Sequence, residues 1–425
     1  MPGHKGNGPL GVEAIDITEI EGADLLYSPS TVIKKSEENA SKLFGSARTL
    51  YSTEGSSLSI RAMLYLATIY AKSQGKKPTI AAGRNAHKVF ISGTALLDFD
   101  IRWIFPEKSE SIVSCEITPD ALDSFLGENE VCAVYITSPD YLGNIADIEG
   151  LSRICKKHGV LLLVDNAHGA YLNFLPVSLH PISLGANMCA DSAHKTLPVL
   201  TGGAYLHLSK DAPEIFYEMA DSAMALFAST SPSYLILQSL DLANEYLCDS
   251  YRDRLCGFAK KVSELKEKLI SAGYSLIGDE ALKITLETKK YGYTGIEIAD
   301  ILRKNGIVCE FYDSDFTVLM LTPESGETAL KRIYDALIEI PQKTEITDKM
   351  PALETPERVL SPREAALCES REFDVCESAG KVLGTASVSC PPAIPIVVCG
   401  ERISESAVRD FEYYGIKKVR CVKTK

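Results

Sequence analysis

The sequence predicts an α/β protein in which a large domain, built on a mostly parallel sheet flanked by helices, is followed by smaller α+β C-terminal regions. Three observations carry this expectation. Strand-like and helix-like segments alternate from Lys77 to Leu208, the pattern of parallel strands joined by helical crossovers. The five apolar residues Val160 to Val164, closed by Asp165-Asn166, read as a strand buried on both faces. The polar stretches beginning at Arg84, Asp165 and Asp191 each follow such a run, at the carboxyl end where open α/β sheets bind ligands.

Composition narrows the class. A chain of 425 residues can build two or three domains around sizeable cores, and 45% hydrophobic with 24% charged residues is ordinary for a globular protein in water. No apolar run approaches the roughly eighteen residues of a transmembrane helix. The start lacks the charged-then-apolar pattern of an export leader. Twelve cysteines are scattered without a C-x-x-C pair, so neither a disulfide framework nor a zinc site is expected, and they read as reduced thiols of a cytoplasmic protein. A net charge of -13 disfavours nucleic acid and anionic membranes as partners and suits a cationic substrate.

In chain order, residues 1–45 form an N-terminal arm: a glycine-rich basic start, then Asp24 to Pro29, then a polar helix from about Lys34 to Phe44. The arm holds too little apolar material to fold alone and is expected to lie on another surface, most simply that of a neighbouring subunit. Gly3-His4-Lys5-Gly6-Asn7-Gly8 follows no strand and lacks the spacing of a nucleotide-binding loop. Residues 46–231 form the large domain. Its first helix opens at Glu54-Gly55-Ser56-Ser57, with Ile60, Met63, Leu64, Ala67, Tyr70 and Ala71 on one apolar face. Ser56 or Ser57 is the expected N-cap, and the free N–H groups and hydroxyls there make an anion site. Strands follow at Pro78–Ala82 and Val131–Thr137. Residues 232–275 read as one long interdomain helix. Residues 276–343 give a small α+β domain in the order strand, helix, strand, strand, helix, with its first helix ending at Asn305-Gly306. The C-terminal region, 344–425, starts with a polar linker and holds a helix, a Pro391-Pro392 turn and a short strand from Ile394 to Val398.

The chemistry centres on Asp191-Ser192-Ala193-His194-Lys195-Thr196. A lysine amine can form a Schiff base with an aldehyde cofactor while Ser192 and His194 reach its phosphate; taken alone, the segment reads equally as a solvated loop. Upstream, Asp165 stands at a strand end, where a carboxylate can keep a pyridine nitrogen protonated, or simply cap a helix. An isolated histidine such as His87 is most often a satisfied loop or core residue. A metal site built from His87, His168 and His194 fails on spacing, because no H-x-x-x-H pair or carboxylate accompanies them, and no metal is expected.

Together, Asp165-Asn166-Ala167-His168-Gly169-Ala170 and Ser192-Ala193-His194-Lys195-Thr196-Leu197-Pro198 resemble the pyridoxal-phosphate-dependent ornithine/lysine/arginine decarboxylases, of the aspartate-aminotransferase fold type I. Pro2–Gly6, Arg84–Lys88, Ser229–Tyr234 and Cys390–Pro395, running on to Gly400-Glu401, resemble further motifs of that family, in the same order. The resemblance implies an enzyme of polyamine-related amino-acid metabolism that releases CO2 from arginine, lysine or ornithine and leaves the amine. It implies that Lys195 carries pyridoxal 5'-phosphate, that Asp165 pairs with the pyridine nitrogen, that His87 stacks on the ring, and that His168 belongs to the same catalytic group. Ser56, Ser57, Ser192, His194 and, from a partner subunit, Thr230 would surround the phosphate of a homodimer with shared active sites. For the substrate's distal cation the candidate carboxylates are Glu401, which follows the closing motif, then Glu310, Asp313 and Asp315.

Several positions depart from the family pattern. Glu54 stands where relatives generally have asparagine, so its carboxylate is expected to point away from the phosphate. Asn166 replaces a common glutamate, Val89 follows His87-Lys88, Gly202-Gly203 follows the lysine motif, and Ala393 sits in the closing turn. Met1 stands almost directly on the N-terminal signature, where relatives usually carry a preceding segment. Two other readings stay open. One is a transaminase or carbon–sulfur lyase on the same fold, for which Arg303 and Arg332 could grip an α-carboxylate; the other is an inactive cofactor-binding homologue with a regulatory role.

Overall fold

The structure, a computed structural model, describes residues 2–106, 111–348, 350, 354–386, 389–390 (backbone only) and 394–423. Its first sixteen numbered helices and strands are, in chain order, α1 (Val32–Phe44), β1 (Arg48–Ser52), α2 (Ser56–Ser73), β2 (Thr79–Gly83), α3 (Lys88–Leu97), β3 (Asp100–Ile104), α4 (Pro119–Glu128), β4 (Ala133–Thr137), α5 (Ile148–His158), β5 (Leu161–Asp165), β6 (Met188–Asp191), the single turn α6 (Ala193–Thr196), β7 (Ala204–Leu208), α7 (Glu214–Phe227), α8 (Tyr234–Cys248) and α9 (Tyr251–Ser271). The chain divides into two compact units, the first drawn from Met1–Ala81, Thr118–Ser138 and Asp147–Leu255, the second from Ala82–Ile117, Pro139–Ala146 and Cys256–Lys425.

The first unit is built on a sheet in the order β1-β7-β6-β5-β4-β2. β4, β5 and β6 run parallel, whereas β7 is antiparallel to β6 and β1 antiparallel to β7. The all-apolar β5 is buried along its whole length, as a strand covered by helices on both faces must be. α2 buries Ile60, Met63, Leu64, Ala67 and Ala71, the expected apolar face, with Tyr70 half-buried. β1 is an addition that the sequence reading lacked.

Two expectations are corrected here. The arm's helix α1 lies on its own chain: Ser36 Oγ donates to Asp241 at 2.5 Å, Asn244 Nδ2 donates to the Ser36 carbonyl, and the Tyr51 N–H donates to the buried Glu37 carboxylate at 2.9 Å. The adjacent Ser36 and Glu37, on a buried face shared with Ile33, Ala40 and Phe44, thus add hydrogen bonds to the apolar docking of the helix. The long helix of 232–275 is two helices, α8 and α9, parted at Asp249-Ser250, residue types whose side chains compete with helical hydrogen bonds. The Asp249 N–H still bonds to the Glu245 carbonyl, and a new turn begins with Arg254 N–H to the Ser250 carbonyl.

In the second unit the Arg84 N–H bonds to the Ile104 carbonyl at the end of β3. Beyond α9 come β8 (Leu276–Ile277), β9 (Lys283–Glu287), α10 (Gly295–Lys304), β10 (Phe311–Tyr312), β11 (Phe316–Met320) and α11 (Gly326–Ile338), the four strands forming an antiparallel sheet in the order β10-β11-β9-β8. α10 opens on a capping box between Thr294 and Glu297 and stops before Asn305-Gly306. There follow α12 (Pro362–Leu367), β12 (Ser370–Asp374), β13 (Ser389–Cys390), β14 (Ile394–Pro395), α13 (Glu405–Tyr413) and β15 (Lys418–Val422), with β12 paired to β15. Phe311, Val318, Leu383, Ile403 and Phe411 share one core. The strand expected from Ile394 to Val398 shrinks to Ile394–Pro395, since the Val398 N–H is taken by the Glu401 carboxylate and Gly400 turns the chain at φ +93°. The Pro391-Pro392 turn and Ala393 lie outside the described residues. Among the described residues no helix is long and apolar enough to cross a membrane.

One departure from the family pattern has a steric explanation. Gly202 adopts φ +102°, its carbonyl accepts the Gly55 N–H at 2.7 Å, and a Cβ there would sit 2.7 Å from the Thr53 carbonyl oxygen. Gly202→Ala is expected to lose about 2–4 kcal/mol of stability in urea unfolding; a variant as stable as the parent would contradict this account.

Candidate active site

The site begins with strand register. Parallel pairing of β5 with β6 sets Asp165 opposite Ala190, so Asp165 and the Asp191-Ser192 pair end neighbouring strands. Asp165 is 2% exposed. Its Oδ2 accepts the Tyr135 hydroxyl at 2.9 Å and its Oδ1 accepts the Ala167 N–H at 3.2 Å. Burial pushes this carboxyl above the usual carboxylate range, against the pull of the Tyr135 hydroxyl, the Lys195 charge and the Ala167 N–H. Tyr135 was not singled out from sequence. The signal was there: Thr137 pairs with Asp165, and two residues back along β4 the side chain returns to the same face.

Asn166 explains itself at this point. Its Nδ2 donates to Asp191 Oδ1 at 2.7 Å, where a glutamate would bring a second buried carboxylate beside the first.

Lys195 is half-buried on α6, and its Nζ lies 2.9 Å from Nε2 of His168, which is 3% exposed. Ser192 Oγ donates to Ser56 Oγ at 2.8 Å. His194 Nδ1 donates to the Gly203 carbonyl at 2.9 Å, so its ring is held with that nitrogen protonated. The N-cap of α2 is Gly55, at φ 71°, rather than Ser56 or Ser57, which occupy the first turn. Gly55 has no side chain to cap with, which leaves the helix's leading N–H groups without intrahelical partners. His194 Cε1 comes 4.0 Å from where a Gly55 Cβ would be, so Gly55, Ser56, Ser192 and His194 converge at the start of an 18-residue helix. Glu54 faces away, as expected: its Oε1 accepts the Ser229 N–H at 2.6 Å. Thr230 is exposed in that same Ser229–Ser231 turn.

These residues fit pyridoxal phosphate. Lys195 offers an amine, the α2 N-terminus with Ser56, Ser57, Ser192 and His194 offers an anion cradle, and Asp165 is a desolvated carboxylate short of cationic charge, which a protonated pyridine would supply.

The remaining predicted residues belong to the second unit. His87 is the N-cap of α3, with Nδ1 accepting the Val89 N–H at 3.2 Å. Glu401 is buried and engaged: Oε2 accepts from Arg84 at 3.2 Å and from the Val398 N–H at 2.6 Å. Arg84 also donates to the carbonyls of Pro395 and Ile396 and stacks over Trp103. Asp315 is bound by Lys289 at 2.9 Å and by the Tyr413 hydroxyl at 2.8 Å. Glu310 is exposed, and Arg303 pairs with Asp300. Asp313 accepts the Asp315 and Phe316 N–H groups through Oδ1, each at 2.8 Å, while Oδ2 is buried without a hydrogen-bond partner among the described residues.

Fold and site together define a fold type I pyridoxal-phosphate enzyme. Over all its described length the chain resembles the Francisella novicida lysine decarboxylase LdcF, with a TM-score of 0.80, 17% identity, and coverage of 100% of this chain and 78% of that one, a likeness of fold. The family model for the Orn/Lys/Arg decarboxylase major domain matches residues 11–277. Among curated proteins the chain is 28% identical to the uncharacterized protein YaaO of Bacillus subtilis over 416 residues (93% of this chain, 84% of YaaO). It is 26% identical to the arginine decarboxylase of the same organism over 442 residues (96% and 88%). The chain belongs to the Orn/Lys/Arg decarboxylase family and is a pyridoxal-phosphate-dependent amino-acid decarboxylase.

Burial raises the Asp313 carboxyl to about 6, against the pull of the Phe316 and Asp315 N–H groups. The folded chain therefore holds a proton there that the unfolded chain has released, and stability falls as pH rises from about 4 to about 6. Asp313→Asn keeps the accepting oxygen but cannot ionise. Its unfolding free energy, from urea titration, is expected to match that of the parent at pH 4 and exceed it above pH 6, by an amount on the order of 2 kcal/mol. Parallel pH profiles for the two proteins would contradict the assignment.

Proposed function

We propose that the enzyme decarboxylates a basic amino acid, arginine, lysine or ornithine, to the corresponding amine. The observation that carries this reading is the meeting, within one unit, of the Lys195 amine beside His168, the sealed Asp165 carboxylate and the serine-lined start of α2. When bound, pyridoxal phosphate supplies an electron sink for the pair left behind as CO2 departs. Lys195 would hold the cofactor aldehyde and is the group positioned to move protons at the substrate's α-carbon. His168 orients the lysine through their hydrogen bond. Asp165, itself held by Tyr135, keeps positive charge on the ring nitrogen. Ser56, Ser57, Ser192 and His194 would bind the phosphate, joined by Thr230 of a second subunit, and His87 would cover the ring, as the family resemblance implies.

Curated relatives named arginine decarboxylase, in Bacillus subtilis and in Halalkalibacterium halodurans, support a guanidinium or ammonium substrate. Its distal cation would meet Glu401, Glu310 or Asp313; Glu401 reaches it only by sharing its carboxylate with Arg84. We infer a cytoplasmic homodimer acting in polyamine-type metabolism, and the exposed Leu10, Val12, Ile15 and Ile17 of the arm are the apolar surface a partner would cover.

The test is CO2 release by the purified protein with pyridoxal phosphate and each of the three amino acids. One of them is expected to give release that Lys195→Ala abolishes and that Asp165→Asn lowers by about 100-fold or more. Bound cofactor with no CO2 from any of the three would overturn the assignment.

A further inference from the structure

β6 and β7 pair with Cys189 opposite His207, and Thr49 of β1 lies opposite His207 on its other side. Alternation along β6 puts Cys189 and Asp191 on one face. His180, from the segment before β6, reaches the same place. All four of His180, Cys189, Asp191 and His207 are fully buried, and one ligand atom from each lies within 4.8 Å of the others. His180 Nε2 is 2.9 Å and His207 Nε2 3.3 Å from Asp191 Oδ2. Cys189 Sγ is 3.9 Å from His180 Nε2 and 3.7 Å from Asp191 Oδ1. A tetrahedral ion with N, O and S bonds of about 2.0–2.3 Å would space its ligands by about 3.3–3.7 Å, and the two His–Asp191 Oδ2 distances and the Cys189–His180 distance lie within about 0.4 Å of that range.

The two rings converge on one carboxylate oxygen. His180 can give its Nε2 proton to Asp191, and His207 Nδ1 is matched with Thr49 Oγ1 at 2.8 Å. His207 Nε2 then has no aligned hydrogen-bond partner among the described residues, although it faces the Asp191 carboxylate. With Nε2 protonated, that proton is aimed at Asp191 Oδ2; with Nδ1 protonated and donated to Thr49, Nε2 turns a lone pair to the same oxygen, and a cation between the two makes a bond to each. The outer contacts of His207 and Asp191 suit such an ion, while His180 Nδ1 is buried without a hydrogen-bond partner among the described residues. Thr49 orients His207, Asn166 Nδ2 takes Asp191 Oδ1 at 2.7 Å and leaves Oδ2 inward, and the Phe44 ring lies 4.5 Å from His207 and 5.3 Å from His180, excluding water.

We propose that His180, Cys189, Asp191 and His207 bind one zinc ion. Cys189 releases its thiol proton on binding, and the thiolate and carboxylate together balance the two positive charges, so the buried assembly is neutral. Four protein ligands leave no open position, which makes the site structural: it ties β6, β7 and the His180 segment together one residue before Ser192. It uses none of His87, His168 and His194. Because the ligands are sealed, the ion enters during folding.

The test uses the full chain, produced without a polyhistidine tag and analysed by elemental mass spectrometry, together with chain unfolded, stripped of metal and refolded with Co2+. The expected result is one zinc per chain, and for the cobalt form the visible bands of a tetrahedral site with a sulfur-to-metal charge-transfer band that Cys189→Ala lacks. His207→Gln should lose the metal, and Thr49→Val, which spares every ligand, should weaken zinc binding by about 10–100-fold. Metal-free protein whose cobalt refold is colourless would overturn the proposal and leave a hydrogen-bonded His–Asp cluster. Metal retained in both Cys189→Ala and His207→Gln would place it elsewhere and overturn it equally.

Discussion

The first unit is organised by the desolvation of two carboxylates. Pairing of β5 with β6 carries Asp165 and Asp191 to neighbouring strand ends, where each is 2% exposed or less. A carboxylate taken out of water costs several kcal/mol unless donors or cations replace its hydration. The surrounding residue choices answer that cost. Tyr135 and the Ala167 N–H serve Asp165, while Asn166 and His180 serve Asp191. Asp165 still lacks full compensation, which the proposed cationic ring nitrogen would supply.

The lysine inherits its position from this arrangement. Asp191 ends β6, Ser192 follows, and the single turn α6 presents Lys195 to His168. On the other side, Ser192 reaches the first turn of α2, whose start is shaped by two glycines with positive φ, Gly55 and Gly202, bonded to each other through the backbone. A helix N-terminus uncapped by any side chain is left for an anion. The amine, the acid and the anion cradle are thus separate consequences of sheet register, a tight turn and a glycine cap.

Much of this was legible in the sequence because it is local. Five apolar residues ending in Asp165 announce a buried strand, and Ser192 to Lys195 has a spacing that a short helical turn explains. What was not legible depends on partners far away in the chain. Nothing near Ser36 or Glu37 reveals that Asp241, Asn244 and the Tyr51 N–H will hold α1 on its own chain. Arg84's claim on Glu401 joins residues more than three hundred positions apart. The pairing of β12 with β15 joins short, mostly polar segments without a strong strand pattern. His180, Cys189, Asp191 and His207 have no familiar ligand spacing, since the pairing of two strands and a loop bring them together. The first unit gathers the amine, the acid and the groups proposed to bind the phosphate. His87, Glu401, Glu310 and Asp313 belong to the second, and their roles rest on the family resemblance.

The central claim is that Lys195, among all the lysines of the chain, is the one that holds the cofactor. The most direct measurement is to reduce the cofactor-loaded protein with borohydride, digest it and locate the pyridoxyl group by mass spectrometry. The account predicts a single modified peptide, bearing the group on Lys195. A pyridoxyl group on any other lysine, with Lys195 unmodified, would contradict it.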